Sequence, residues 1–451
     1  MVIILNENIC AISTSLGVGA ISIVRCSGPE VISIANKIFK GKNLENVKTH
    51  TIHYGYIVDK DDIIDEVLVS VMRAPKTFTR EDVVEINCHG GISTTNKVLE
   101  LLIQAGCRLA TPGEFTKKAF LNGRIDLIEA ESVMDLINAK TESSRKMAMS
   151  NLSGKVSNMI RELRNKMLDI ISNIEVNIDY PEYEDILVVT NDMIEESVSN
   201  LKNQLGKILK EAENGKIIKE GIKTLIIGRP NVGKSSILNK LIDEDKAIVT
   251  DIEGTTRDIV EGNITIDGIL LNIIDTAGVR ETSNIVEKIG VDKSLSLIND
   301  ADLIILVLNN NECLNKDDLM LLESTKNKKR IIFINKCDLE SKVSIGEEVV
   351  YGNTITNDGL DNLKSKIKEL FNIDGIIKSD MNYLSSATHI STLKECLKIV
   401  DDILIALENN LTVDMLEIDI KKIWELLGNL IGDSYDEELL DNLFSKFCLG
   451  K

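Results

Sequence analysis

Gly228-Arg229-Pro230-Asn231-Val232-Gly233-Lys234-Ser235 is the stretch that decides the fold of the central part of the chain. It fits the pattern GxxxxGK(S/T), follows an apolar run at 224–227 and precedes a segment with helical spacing. In this context the glycines let backbone N–H groups approach phosphates, Lys234 reaches the β- and γ-phosphates, and the Ser235 hydroxyl ligates Mg²⁺. The stretch therefore predicts a phosphate-binding loop. Its predicted nucleotide contacts are Asn231, Val232, Gly233, Lys234, Ser235 and Ser236.

Two further motifs follow in the order expected of a GTPase. Asp275-Thr276-Ala277-Gly278 comes after a strand-like run and offers a carboxylate to the magnesium shell and the Gly278 N–H to the γ-phosphate. Asn335-Lys336-Cys337-Asp338 follows the run at 331–334, and the Asp338 carboxylate accepts from N1–H and N2–H₂ of guanine, a donor pair that adenine lacks. The three motifs together predict a site that selects GTP over ATP. The second and third motifs add the predicted contacts Asp275, Thr276, Ala277, Gly278, Asn335, Lys336 and Asp338.

The last guanine loop and the water-orienting residue are less clearly marked. Instead of the usual Ser-Ala sequence, only Ile355-Thr356-Asn357-Asp358-Gly359 stands where the last guanine loop is expected. Ras-like enzymes orient the attacking water with a Gln just beyond the second motif, but this chain has Val279, whose side chain forms no hydrogen bond. Arg257 and Arg280 are expected in loops near the γ-phosphate. Each is either an arginine finger or a solvated loop arginine. Another group must therefore orient the water.

The pattern of apolar residues divides the chain into three predicted domains. Residues 1–118 alternate short β-rich runs, such as 20–24 and 83–86, with one helical stretch near 93–104 and predict a small α+β domain. Helical spacing dominates 119–215 and 376–451, with one helix face formed by Leu127, Ala130, Met134 and Ile137 and another by Leu416, Ile420, Ile423 and Leu427.

Between these helical segments, residues 216–375 alternate β-rich and helical runs, which is typical of a parallel sheet with crossover helices. The predicted fold class is multidomain α/β: a Ras-like P-loop GTPase domain is inserted in an all-helical domain and accompanied by an N-terminal α+β domain. Two unrelated helical domains, one on each side of the GTPase domain, remain the alternative.

Composition narrows the class of protein. The sequence is 43% hydrophobic and 27% charged, which is typical of a soluble globular protein, and no run approaches the ~20 apolar residues of a membrane span. We therefore expect a cytoplasmic protein. Eight cysteines without a CxxC pair argue against disulfides and a zinc ribbon, and predict mostly buried thiols. A net charge of -19 opposes non-specific nucleic-acid binding, so an RNA substrate would need a local basic patch or a basic partner.

Specific stretches outside the nucleotide motifs indicate a family. They are Phe78-Thr79-Arg80-Glu81-Asp82-Val83-Val84-Glu85, Cys88-His89-Gly90-Gly91, the segment 112–124 beginning Pro112-Gly113-Glu114-Phe115-Thr116, Gly254-Thr255-Thr256-Arg257-Asp258, and the terminal Phe447-Cys448-Leu449-Gly450-Lys451. With these stretches the chain resembles the tRNA-modification GTPases known as MnmE or TrmE over almost its whole length.

The resemblance implies an activity and a set of partners. It implies a constitutive homodimer that works with MnmG (GidA), an FAD- and NADH-dependent protein, as a heterotetramer. Together they would add a carboxymethylaminomethyl or aminomethyl group to carbon 5 of the wobble uridine, position 34, of tRNA. It also implies that the N-terminal domain binds a tetrahydrofolate derivative, 5-formyl- or 5,10-methylene-tetrahydrofolate, as the one-carbon source. The folate positions carried over are Arg25, Glu85, Arg124 and Lys451.

The resemblance also implies potassium-dependent hydrolysis. Potassium would be held by Asn231, Thr250, Ile252 and Thr255, and magnesium by Ser235 and Thr256, while Glu287 would orient the attacking water. A cation at this place would neutralise transition-state charge, as an arginine finger does elsewhere. The first-switch residues that would contact GTP are Thr250, Asp251, Ile252, Glu253, Gly254, Thr255 and Thr256.

Cys448 and the overall function each leave alternatives open. Cys448 is either a chemical participant in tRNA modification or a buried small hydrophobic residue, while its resemblance to a prenylation box is weakened by the terminal Lys451. The alternatives to a tRNA-modifying enzyme are a ribosome-assembly or RNA-binding GTPase switch, which usually carries an RNA-binding appendage, and a GTP-controlled scaffold without chemistry.

Overall fold

The computed structural model describes residues 7–179, 191–244, 260–274, 297–356, 358–378, 384–409, 411–433 and 437–450. The chain divides into two compact units. Unit 1 comprises Met1–Met134, Leu152–Ser197 and Asp402–Lys451, and unit 2 comprises Asp135–Asn151 and Val198–Asp401. The protein is a multidomain molecule of mixed helices and sheets, as predicted, and the finer division into three domains stays a prediction.

Unit 1 contains a seven-stranded sheet with the strand order β3-β4-β5-β6-β2-β1-β7. The strands are β1 (Ile9–Ile12), β2 (Ile21–Ser27), β3 (Phe39–Gly41), β4 (Thr51–Asp59), β5 (Asp62–Met72), β6 (Val83–His89) and β7 (Arg108–Leu109). All neighbours are antiparallel except β1 and β7.

One face of this sheet packs on helices α1 (Val31–Ile38) and α2 (Ile92–Ala105), which confirms the helix predicted near 93–104. Because side chains alternate along a strand, Val24 and Cys26 enter the core while Arg25 points to the opposite face. Both β-rich runs of the predicted α+β domain are confirmed as β2 and β6.

Six further helices are divided between the two units. They are α3 (Glu114–Leu121), α4 (Leu127–Asn138), α5 (Glu142–Leu152), α6 (Lys155–Asp179), α7 (Asn191–Glu220) and, after the second sheet, α12 (Ala387–Glu408). Two more, α13 (Val413–Ile431) and α14 (Glu437–Phe444), follow α12. Helix α6 packs on α13, where the Arg164 guanidinium lies 4.2 Å from the centre of the Trp424 ring.

The predicted helix faces are confirmed on α13 and only partly on α4. Leu416, Ile420, Ile423 and Leu427 are all buried, as the spacing predicts. On α4, Leu127 and Ala130 are buried, but Ile137 is 45% exposed. The predicted helix is confirmed, and its buried stripe ends before the last turn.

Unit 2 contains a six-stranded sheet with the order β13-β12-β11-β8-β10-β9. The strands are β8 (Ile222–Ile227), β9 (Val260–Ile266), β10 (Ile269–Ile274), β11 (Leu303–Asn309), β12 (Arg330–Asn335) and β13 (Val349–Tyr351). The helices described with it are α8 (Lys234–Glu244), α9 (Lys316–Ser324), α10 (Leu360–Phe371) and α11 (Ile373–Lys378). Central strand β11 is buried throughout, which accounts for its unbroken apolar sequence.

The predicted parallel sheet is confirmed for five strands, whereas β9 is an antiparallel edge strand. The turn between β9 and β10 consists of Asp267 and Gly268, both with positive φ (46° and 83°). An Asp-Gly pair favours the tight turn that matches the twist of a hairpin, so β9 pairs with its sequence neighbour. No helix in the described part of the chain is long and apolar enough to cross a membrane.

Candidate functional site

The phosphate-binding loop lies between the end of β8 and the start of α8, in the predicted context. Three of its residues have positive φ: Gly228 (154°), Asn231 (62°) and Gly233 (104°). A Cβ atom at Gly228 would collide with the carbonyl oxygen of Val307, and one at Gly233 would collide with the Asn335 side chain. The two glycines are therefore required by close packing as well as by backbone conformation.

Positive charge is concentrated at the end of this loop. The Lys234 ammonium donates to the carbonyl oxygens of Gly228, at 2.8 Å, and Arg229, at 2.7 Å. Ser235 and Ser236 are exposed in the first turn of α8. A helix N-terminus with an adjacent ammonium group suits phosphate oxygens, so this end of α8 can bind an anion.

Asn335 connects the phosphate loop to the loop that follows β13. Its side chain is buried, and its Nδ2 donates to the Val232 carbonyl at 2.8 Å. Its Oδ1 accepts from the Thr354 backbone N–H at 3.2 Å. Asp338 is exposed in the turn after β12, where its carboxylate is accessible to a base. Lys336 precedes it with a φ of 64°, and burial raises the pKa of the neighbouring Cys337 thiol.

The segment that contains the expected last guanine loop is tied to the guanine motif. The residue tied to Asn335 is Thr354, which precedes the run 355–359 that the sequence suggested. The Asn353 amide donates to the Asp358 carbonyl at 2.8 Å, and the Ile355 amide donates to the Asn353 side chain at 2.9 Å. These bonds fold the segment beside the guanine motif. Which of its residues would contact guanine stays a prediction.

Many predicted nucleotide residues lie outside the described residues, and their assignments stay predictions. From the first switch these are Thr250, Asp251, Ile252, Glu253, Gly254, Thr255 and Thr256. From the second motif and beyond they are Asp275, Thr276, Ala277, Gly278, Val279 and Glu287, together with Arg257 and Arg280. The terminal Lys451 of the folate set also lies outside.

Two of the predicted folate residues form a pair on the open face of the first sheet. Arg25 on β2 and Glu85 on β6 are directly opposite each other, and Arg25 Nε donates to Glu85 Oε1 at 2.8 Å. Both side chains are about one fifth exposed, at 21% and 22%. Arg25 NH1 also donates to the carbonyl of Gly450, at 3.2 Å, so this part of the C-terminal segment lies beside the pair.

Arg124 lies apart from the Arg25–Glu85 pair. Its guanidinium carbon is 5.0 Å from the Phe78 ring centre, and its NH1 donates to the Phe78 carbonyl at 3.0 Å. Phe78 packs against a small core that includes Phe115, whose ring is 5.9 Å from the Arg25 guanidinium. The two arginines therefore border one aromatic cluster without contacting each other.

A buried polar network fixes the segment that carries Phe78 and Glu85. The Lys118 side chain is fully buried, and its ammonium bonds both carboxylate oxygens of Glu81, at 2.8 and 3.0 Å. Glu81 also accepts from Ser27 at 2.9 Å, and Ser27 bonds Thr79 at 2.7 Å. Because a buried ammonium is costly unless it is paired, this network restrains the segment strongly. Sequence reasoning gave Lys118 no role, since the contact to Glu81 is long-range.

Cys448 is exposed, so its alternative assignment as a buried hydrophobic residue was wrong. Its carbonyl accepts from the Gly113 amide at 3.2 Å, while the preceding Phe447 packs on the Phe444 ring with centres 5.1 Å apart. These contacts hold the backbone in place and leave the thiol accessible. Five of the remaining cysteines are buried, as composition predicted.

Comparison with known proteins covers both units. Residues 127–448 match the model of the MnmE helical domain, and residues 8–124 match that of the GTP-binding protein TrmE N-terminus. The tRNA modification GTPase MnmE of Streptococcus thermophilus is 51% identical over 449 residues, covering 99% of this chain and 98% of the relative. The Bacillus subtilis MnmE is 50% identical over 458 residues, covering 99% and 100%.

A solved structure, the G domain of the T. maritima FeoB iron transporter, is 33% identical over 33% of this chain and 98% of that domain. Its TM-score of 0.25 is too low to support a structural conclusion. The full-length relatives and the two family models are decisive instead, since together they span the phosphate loop, the guanine motif and the Arg25–Glu85 pair. The chain therefore belongs to the MnmE (TrmE) family of tRNA modification GTPases.

Proposed function

We propose that this chain is a potassium-stimulated GTPase that, with an FAD-dependent partner, adds a carboxymethylaminomethyl or aminomethyl group to C5 of the wobble uridine of certain tRNAs. The observation that carries the proposal is full-length similarity near 50% to tRNA modification GTPases. The geometry adds support, because the chain retains a phosphate loop tied to the guanine motif by Asn335. It also retains the Arg25–Glu85 pair beside the C-terminal segment.

As a member of this family, the chain is a GTP hydrolase. We propose that the Lys234 ammonium exchanges the carbonyls of Gly228 and Arg229 for phosphate oxygens when GTP binds. The exposed Ser235 hydroxyl fits a magnesium ligand, because Mg²⁺ prefers oxygen ligands and Ser235 stands at the anion-binding end of α8. Magnesium would stabilise charge on the β- and γ-phosphates, with Thr256 as a second ligand.

Asn231 fits a potassium ligand. It is exposed at the turn of the phosphate loop, in a left-handed conformation that asparagine adopts more readily than most residues. Its side-chain oxygen is a hard donor of the type that alkali cations accept. The further ligands Thr250, Ile252 and Thr255, and Glu287 as the residue that orients water, are proposed from family membership alone. Such a cation would supply the positive charge that no assigned arginine supplies.

The Arg25–Glu85 pair fits a reduced folate. A carboxylate accepts from the N–H groups of a pterin, and guanidinium groups bind the folate carboxylates. Arg25 fixes the orientation of Glu85. Arg124, which lies apart from this pair, and the terminal Lys451 are the further proposed cationic groups. We propose a tetrahydrofolate derivative, 5-formyl- or 5,10-methylene-tetrahydrofolate, as the one-carbon source, and the accessible Cys448 as a participant in the modification chemistry.

The open face of the first sheet supports the proposed homodimer. Four large apolar side chains on β2, β4 and β5 are exposed there: Ile21 (64%), Ile52 (65%), Tyr54 (57%) and Leu68 (46%). Strand register places all four on the face opposite α1 and α2. Since a large exposed apolar patch typically marks an interaction site, a second copy of this face is the proposed occupant. MnmG, as part of a heterotetramer, and tRNA are the further proposed partners, and the proposed location is the cytoplasm.

Mass spectrometry of wobble-uridine nucleosides tests the function. A strain lacking the gene should lose the modified base, the unaltered chain should restore it, and Lys234→Ala should not, since Lys234 reaches the phosphates. Lys366→Ala, which removes a surface ion pair with Glu348, is the control and should restore modification fully. If the modified base persists in the deletion strain, the chain is a switch or scaffold without modification chemistry.

A further inference from the structure

Arg229, the first variable residue of the phosphate loop, is held by two carboxylates. Its Nε donates to Asp318 Oδ1 at 2.9 Å, and its NH2 lies 3.0 Å from Glu312 Oε2. The Asp318 side chain is 1% exposed, the Arg229 side chain 17%, and the Glu312 side chain 54%. The contact with Asp318 is therefore a nearly buried ion pair, whereas Glu312 closes it from the solvent side.

Asp318 is itself fixed by the start of helix α9. Its backbone N–H donates to the Asn315 side chain at 3.0 Å, and its Oδ2 accepts from the Asn315 backbone N–H at 3.1 Å. This reciprocal capping box leaves Oδ1 for Arg229. Asp318 thus joins the cap of α9 to the first half of the phosphate loop. Glu312 is fixed in turn by Asn309 Nδ2, which donates to its Oε1 at 2.6 Å.

The backbone of Arg229 contacts the side chain of Lys234. The Lys234 ammonium donates to the carbonyl oxygens of Gly228 and Arg229, so the backbone that the Arg229 side chain anchors also holds the phosphate-binding lysine. The second half of the loop is held separately, through Val232 and Asn335. Without its ion pair, the first half would lose its side-chain anchor to the rest of the unit.

We propose that Arg229, paired with Asp318, is a positioning residue for phosphate binding, which keeps the first half of the loop in the conformation that presents Lys234 to the nucleotide. The proposal rests on the GTP site of the proposed function and assigns a role to residues outside its predicted contacts. The competing possibility is that the pair only stabilises the fold, as a buried ion pair elsewhere in unit 2 would.

Arg330 offers a matched control for that possibility. Its side chain is 8% exposed, it pairs with Glu347, and it donates to Thr325 beyond the other end of α9. It touches no residue of the phosphate loop among the contacts of the described residues. Arg330→Ala should therefore lower thermal stability and leave nucleotide affinity unchanged, because it removes a comparable guanidinium from the same unit.

The experiment measures the Kd of fluorescent GDP and of a fluorescent non-hydrolysable GTP analogue for the full chain. Arg229→Ala and Asp318→Asn should each raise both Kd values about tenfold, on the scale of one charge-assisted hydrogen bond. The double variant should be no weaker than the single ones, because both remove the same interaction. Arg229→Lys should recover part of the affinity, since it keeps the charge but not the guanidinium geometry. In turnover, KM for GTP should rise by more than kcat falls.

Two outcomes would decide against parts of this scheme. Kd values for Arg229→Ala within about twofold of the unaltered chain, with a fall in stability like that of Arg330→Ala, would reduce the pair to a structural role. If Arg229→Ala does not fold, the Kd values of Arg229→Lys and Asp318→Asn decide the same question. No nucleotide binding by the unaltered chain would instead refute the GTP site on which the inference rests.

Discussion

Replacing Asn335 with alanine should disconnect the phosphate loop from the loop that follows β13. The substitution removes the donor to the Val232 carbonyl and the acceptor for the Thr354 amide, two backbone groups in residues that are only 2% and 8% exposed. Each unsatisfied buried group costs about 1–3 kcal/mol, so the unfolding free energy of unit 2 should fall by roughly 2–6 kcal/mol. Water entering the space left by the side chain would place the result near the lower end.

Nucleotide affinity should fall as well, because the same bonds fix the Val232 peptide and the adjoining Gly233. We expect the Kd of fluorescent GDP to rise at least about tenfold, equivalent to 1.4 kcal/mol. Denaturant unfolding and nucleotide titration on the same preparations separate the two effects. Asn272→Ala is the control, since Asn272 also bonds a backbone carbonyl of unit 2, that of Glu220, at 2.6 Å, but belongs to none of the nucleotide motifs. Equal Kd values for Asn335→Ala and Asn272→Ala would refute the reasoning.

Four further outcomes are expected. Asp338→Asn should shift preference from GTP toward xanthosine triphosphate in a competition assay, because an amide reverses one hydrogen bond to the base, and unchanged GTP affinity would remove Asp338 from the site. Replacing Na⁺ with K⁺ at equal ionic strength should raise the rate of GTP hydrolysis strongly. Asn231→Ala should abolish this difference and lower the rate of hydrolysis in K⁺ by ~10²–10³. Equal rates in both salts would refute a potassium site. Arg25→Ala should weaken calorimetric binding of 5-formyl-tetrahydrofolate by ~1.5–3 kcal/mol while GTP turnover stays intact, and normal folate binding would exclude Arg25. Burial alone raises the pKa of Glu114, but hydrogen bonds from Arg108 and a backbone amide lower it overall. Glu114→Gln should therefore remove roughly 1.5–3 kcal/mol of stability above about pH 5, and this difference should disappear as pH falls through the lowered pKa. A pH-independent difference in stability would contradict this.

The sequence sufficed for features that depend on local chemistry. A glycine-rich turn followed by Lys234-Ser235 predicts its own strand and helix, because backbone conformation and phosphate geometry both act within a few residues. The position of Asp338 at the end of a buried strand follows from the apolar run before it. These predictions required no knowledge of which strands are neighbours.

Features that depend on distant contacts were missed for the same physical reason. Thr354 is bonded to Asn335 of the guanine motif, 19 residues away in the chain. Arg229 reaches Asp318 across 89 residues. The left-handed turn at Asp267-Gly268 was an available local signal for the antiparallel β9, and a search limited to parallel strands overlooked it.

The phosphate loop is restrained on both sides. This predicts which substitutions should change nucleotide affinity and which should change the rate of hydrolysis. Asn335 holds the loop at Val232, and Asp318 holds it at Arg229. A loop restrained at both of these points loses little conformational freedom when GTP binds, so substitutions that release it should act mainly on affinity. Val279 cannot orient water; Glu287, which is proposed to orient it, and the proposed potassium ligands Thr250, Ile252 and Thr255 lie outside the phosphate loop. Substitutions there should lower kcat at saturating GTP and leave Kd nearly unchanged, since they remove interactions made only in the transition state.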